Sequence, residues 1–183
     1  QLKAIVNVID NEKTEEIKKI RDKTIILIGF AGGFRRTELV SIDYNDLEFV
    51  TEGVKIFIKR SKTDQSGEGM TKALPYFGNK KFCPVTFLKK WLDISKIKKG
   101  LIINISDKSV VLLIKKYTSV AGLDSQKYSG HSLRSGFATV SADFGADERS
   151  IMTMTGHKTT QMVRRYIKEA NLFKNNALNK IRI

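Results

Sequence analysis

The chain has 183 residues, with 33 Lys and Arg against 19 Asp and Glu, for a formal net charge of +14. Hydrophobic residues at 41% and charged residues at 28% exclude a disordered chain, and the length fits one domain, since domains commonly run roughly 100 to 200 residues. The single cysteine, Cys83, rules out an intrachain disulfide and a cysteine zinc cluster, and the longest apolar run, Ile25 to Phe34, is too short to span a bilayer.

These features predict a soluble protein of the reducing cytoplasm, with no metal and no membrane partner. The positive surplus attracts polyanions, and it is dispersed along the chain instead of gathered in a basic tail. The chain begins at Gln1, which reads as a fragment or processed form whose amino-terminal partner domain is missing.

In chain order, the first predicted element is a helix over 13–31, where Ile17, Ile20, Thr24, Leu27 and Ile28 recur at helical spacing behind an acidic first turn. Gly32 and Gly33 end it. A short helix follows over 34–41, with Leu39, Val40 and Ile42 turned inward. Val54, Ile56 and Ile58 then alternate with Lys55, Phe57 and Lys59, as in a half-buried strand, and residues 71–76 return as a second strand across the polar tip 61–69. That is a hairpin with a mobile, polar loop. Pro84 opens another helix through Trp91 towards Ser95. Further helices are predicted over 107–121, 132–144, 147–154, 160–170 and 172–180, punctuated by Gly122, Gly145 and Gly156. The expected fold is mainly α with a small antiparallel β-sheet, an α+β class.

The only two histidines lie in the last third, in His131-Ser132-Leu133-Arg134 and Gly156-His157, with Tyr166 nine residues beyond the second. Residues three apart share a helix face, so His131 and Arg134 can address one oxygen-rich ligand. Nine helical steps turn about 180°, so a continuous helix would place His157 and Tyr166 on opposite faces. A break at Gly156, with Thr159 or Thr160 capping a new helix, lets the two converge. Singly, each residue reads as ordinary: a histidine near a helix start caps or packs, a tyrosine packs, and Arg35, Arg36 and Lys62 are surface charges.

Their order changes that reading. Gly33-Phe34-Arg35-Arg36-Thr37-Glu38-Leu39, then Arg60-Ser61-Lys62-Thr63 in a hairpin, then His131-x-x-Arg134, Gly156-His157 and Tyr166 resemble the catalytic domain of the tyrosine recombinases, the phage-integrase family. The resemblance covers nearly the whole chain, so residues 1–183 are expected to form a single catalytic domain, with an amino-terminal core-type DNA-binding domain outside it.

The resemblance implies a role for each matching residue. Arg35 and Arg134 would be the two phosphate-binding arginines, with Glu38 supporting the first. Lys62 would be the hairpin lysine that protonates the leaving 5′ oxygen, with Lys59 close enough in sequence to compete for that position. His131 and His157 would occupy the two histidine positions, and Tyr166 would be the nucleophile. Double-stranded DNA is the implied partner, with a homotetramer on two duplexes, no cofactor and no metal. The implied reaction is site-specific recombination through a 3′-phosphotyrosine intermediate, as in integration of a mobile element. Two alternatives stand beside it: a type IB DNA topoisomerase, and a DNA-binding module of this fold without catalysis.

Overall fold

The computed structural model describes residues 1–59, 67–157, 159–171 and 181. Its described elements are eight α-helices and a three-stranded antiparallel sheet, in the order α1 (Leu2–Asn11), α2 (Glu16–Ala31), α3 (Arg36–Val40), β1 (Leu47–Val50), β2 (Gly53–Ile58), β3 (Met70–Pro75), α4 (Pro84–Ser95), α5 (Asp107–Val120), α6 (Ser132–Asp143), α7 (Glu148–Thr155) and α8 (Thr160–Asn171). The mainly helical expectation holds. Two elements go beyond it: α1, whose Ile5, Val6 and Ile9 are buried, and β1, which turns the expected hairpin into a sheet of order β1-β2-β3. The expected helix over 172–180, and the hairpin tip over 60–66, lie outside the described residues.

Helix α2 is the central beam. Ile20, Thr24, Leu27, Ile28 and Ala31 are buried along it, and the Thr24 hydroxyl donates to the Ile20 carbonyl at 2.7 Å while lying 3.0 Å from the Phe87 carbonyl of α4. The first turn of α4 is set by Cys83, whose sulfur accepts from the Thr86 N–H, and by Pro84, whose fixed φ suits a helix start. Trp91 on α4 donates its indole N–H to the Ile102 carbonyl at 2.7 Å. On the other side, α5 begins behind Ser106, which caps the Ser109 N–H at 3.1 Å. Its Tyr117 hydroxyl lies 2.6 Å from Glu12 Oε2 and 2.7 Å from Asp22 Oδ2. Burial and these two carboxylates push the Tyr117 phenol well above its ordinary range, so it serves as a neutral donor joining the α1 end, α2 and α5.

Two apolar clusters result. The larger gathers α1 to α5, the inward sheet face and Leu133 of α6. The smaller comprises Ala138, Ala142, Ile151 and Val163 from α6, α7 and α8, with Tyr166 and Ile167 packed on it. Helix α6 belongs to both, and it therefore fixes α8 relative to the beam.

Candidate active site

The first arginine is positioned by a turn. Gly32 closes α2 and Gly33 follows with φ +53°, a left-handed conformation that favours glycine. Arg35 then precedes α3 in extended conformation. Glu38, one turn into α3 and 2% exposed, accepts the Arg35 backbone N–H at 2.9 Å and the Arg35 guanidinium at 2.5 Å. The next residue points elsewhere: the Arg36 guanidinium pairs with Asp107 of α5 at 3.0 Å. Two adjacent arginines that look alike in sequence are thus separated by what they bond.

Arg134 approaches the same turn from α6. It is 5% exposed, and its guanidinium donates to the Gly33 carbonyl at 3.0 Å. Burial, and then the nearby Arg35 charge, push Arg134 down to about 10, which leaves it cationic at neutral pH. His131 stands just before α6, exposed, with its backbone N–H donating to Ser129 Oγ at 3.3 Å.

The break foreseen at Gly156 is present. Helix α7 stops at Thr155, Gly156 takes φ 61° and ψ 37°, and α8 opens at Thr160. His157, in the turn between them, has its Nδ1 2.7 Å from Thr155 Oγ1, which is also 2.6 Å from the Ile151 carbonyl. A carbonyl only accepts, so the one hydroxyl proton of Thr155 goes to Ile151 and the His157 Nδ1–H donates to Thr155. Neutral His157 therefore keeps the lone pair on Nε2. Burial, followed by the charges of Arg134, Arg35 and Lys72, pushes its imidazole down to about 4, so the ring is neutral at physiological pH.

Arg35, His131, Arg134, Gly156, His157, Thr159 and Met162 line one open cavity of about 360 Å³. Four of the expected catalytic side chains meet there. Tyr166 does not line it: the phenol ring is half-buried against the smaller apolar cluster, with its centroid 6.5 Å from that of His157. It stands at the edge of the cavity, near enough that its ionised form would favour the charged form of Arg134. Lys62 lies outside the described residues. Lys59, the competing lysine, is held by Asp46 at 2.8 Å.

Sequence reading missed Lys72 on β3, which is 1% exposed and lies 3.7 Å from Glu38. Burial pushes its ammonium down to about 8, with Glu38 opposing and Arg134 and Arg35 reinforcing the shift. Burial alone would raise the Glu38 carboxyl, but Lys72 and Arg35 hold it below the usual carboxylate range. The signal in the sequence was phase: Lys72 sits two residues before the inward Leu74.

The sequence profile of the phage integrase family matches residues 1–172. The chain belongs to the phage integrase family. Among its relatives in that family is a protein named integrase/recombinase XerD homolog from Selenomonas ruminantium, 48% identical over 179 residues, a match covering 91% of this chain and 52% of the relative. The tyrosine recombinase XerC of Syntrophus aciditrophicus is 30% identical over 159 residues, covering 83% of this chain and 50% of the relative. The chain thus spans about half the length of these curated members of the phage integrase family. Its fold matches that of the XerH site-specific recombinase, solved with a palindromic difH substrate, with a TM-score of 0.75 at 21% identity over 96% of this chain and 52% of the XerH chain.

Proposed function

We propose that this phage integrase family chain is the catalytic domain of a site-specific DNA recombinase, occupying residues 1–183, that cleaves and rejoins strands through a 3′-phosphotyrosine intermediate. The observation that carries this reading is the convergence of Arg35, His131, Arg134 and His157 on one cavity with Tyr166 at its edge. A phosphodiester resists attack because its anionic oxygens repel a nucleophile. Arg35 and Arg134 answer that repulsion with planar donor forks that stay charged at physiological pH.

The Tyr166 oxygen would attack phosphorus and form a P–O bond as the bond to the 5′ oxygen breaks. The phenolic proton leaves through an imidazole, and the leaving oxygen takes a proton from Lys62. A 5′ hydroxyl attacking the phosphotyrosine then reverses the step, so the two transesterifications conserve bond energy. His131 is exposed at the cavity and is suited to accept the phenolic proton, while His157, once protonated, donates to a phosphate oxygen. Bound phosphate favours that protonation by adding negative charge beside the ring.

Double-stranded DNA is the proposed substrate and a homotetramer on two duplexes the proposed assembly. The relatives' names, integrase and recombinase, favour strand exchange over the supercoil relaxation of a topoisomerase. Integration of a mobile element is the proposed role. Among the described residues, no helix is long and apolar enough to cross a membrane; action on DNA in the cytoplasm is the proposed setting.

The test uses nicked duplexes selected from a random library by binding. Wild type should accumulate a covalent protein–DNA adduct and Tyr166→Phe should form none. An adduct that persists in Tyr166→Phe refutes the assignment of the nucleophile, and relaxation of plasmid lacking a paired site would favour the topoisomerase reading.

A further inference from the structure

Lys72 has no part in the cleavage scheme, yet it lies beneath both arginines. It projects from β3 on the inward face, opposite Ile56 of β2. Its ammonium donates to the Gly32 carbonyl at 2.8 Å, lies 3.5 Å from the Gly33 carbonyl and 3.7 Å from Glu38 Oε2, and sits 4.4 Å from the centre of the Phe34 ring. Two of these contacts are one step from a guanidinium: Glu38 bonds Arg35, and the Gly33 carbonyl accepts from Arg134. Burying an ammonium costs free energy that an apolar side chain of similar length would not, so stability alone does not account for a lysine here.

We infer that Lys72 is a positioning residue of the active site, whose ammonium locks the Gly32–Gly33 turn and Glu38 in the arrangement that presents Arg35 and Arg134 to one phosphate. The inference rests on the strand-cleavage reading above. Lys72 is sealed under the turn and acts through the two arginines. Without its charge, the buried Glu38 carboxylate loses the cation on its β3 side, and the Gly32 carbonyl loses the ammonium that holds it at 2.8 Å. Small displacements of this kind matter because two guanidinium groups must meet the same phosphate, and roughly 1 Å of misplacement can cost about 10²-fold in rate.

The charged and titratable groups facing Lys72 among the described residues are Glu38 and Arg35 at α3, Arg134 on α6 and His157 in the turn after α7. Lys72 itself is brought to about 8 and Arg134 to about 10, so raising pH from neutral towards about 9 discharges most of the ammonium while Arg134 stays mainly charged.

The experiment measures adduct formation by wild type, Lys72→Met and Tyr166→Phe on a selected duplex with a 5′-bridging phosphorothiolate at the scissile position. Its thiolate leaves without needing a proton, which removes any contribution of Lys62 to the pH profile. Lys72→Met should retain the wild-type melting temperature or exceed it, and bind DNA within about 3-fold. At neutral pH it should form adduct about 10²-fold more slowly. The ratio of the two rates should shrink towards unity as pH rises past 8. Equal rates at neutral pH, or a deficit that does not change with pH, would make Lys72 merely structural and overturn the proposal. If that variant does not fold, the wild-type profile decides: a rate that falls through pH 8 supports the proposal, and one that only rises overturns it. No adduct from wild type, or an adduct from Tyr166→Phe, overturns the strand-cleavage reading and this inference with it.

Discussion

His157 is the side chain whose proton is most closely governed by its neighbours. Thr155 takes its Nδ1–H, and burial with three cations keeps the ring neutral. The unfolded chain, in contrast, binds a proton there below about pH 6.5. Because the folded pKa is the lower one, His157 leaves stability intact above the unfolded value and subtracts from it as pH falls from about 6.5 towards 4. Urea midpoints should therefore drop more between pH 7 and about 4.5 in wild type than in His157→Gln; equal drops would mean the ring is not shielded as described. At this scale the sequence was legible where residues come in fixed pairs. His131 with Arg134, and Gly156 with His157, could be read from spacing because one helix start and one helix end place them. Lys72 and Thr155 could not, since a lysine within a strand and a threonine at a helix end have no chemistry until the partner across the fold is known.

Two turns position the guanidinium groups and the imidazole, and each depends on a glycine. At Gly33 an added Cβ would lie 3.1 Å from the Phe137 ring and 3.2 Å from the Thr155 methyl, at φ +53°. At Gly156, φ +61°, it would meet only the flexible end of Met70, at 3.3 Å. Left-handed backbone costs a non-glycine residue about 1–2 kcal/mol. Gly156→Ala should destabilise by about 1 kcal/mol, and Gly33→Ala by about 2–3 kcal/mol because crowding adds to strain. The same Gly33→Ala protein should also lose adduct formation, since the Gly33 carbonyl anchors Arg134. Denaturant titration and single-turnover cleavage check both. The helices were readable from apolar periodicity and the glycine stops. Helix α1 carried the same signal in Leu2, Ile5, Val6 and Ile9, but over 10 residues against the 16 of α2. Strand β1 is four residues long with two exposed, too short to show an alternation; its pairing with β2 supplies what its own sequence lacks.

As a whole, the molecule joins a candidate active site whose parts come from different cores. Arg35 and Glu38 stand on the larger apolar cluster and Tyr166 on the smaller, with α6 spanning the two and carrying Arg134. The net charge of +14 adds a long-range attraction for a duplex. Affinity for selected DNA should fall by roughly 10²-fold or more between 50 and 200 mM salt, as expected for several phosphate contacts. Chelation of magnesium should leave the rate of adduct formation unchanged, since in the proposed mechanism arginines supply the anion stabilisation; a strict magnesium requirement would count against that mechanism. The charge was plain in the composition, but the division of the site between two cores was not, because it depends on which helices α6 touches. Trp91 gives this architecture an optical handle. It is the only tryptophan, 8% exposed, fixed by its bond to Ile102 and absent from the cavity lining. Its emission is thus a single-site gauge of whether the larger core is intact, read from a fluorophore the protein already contains.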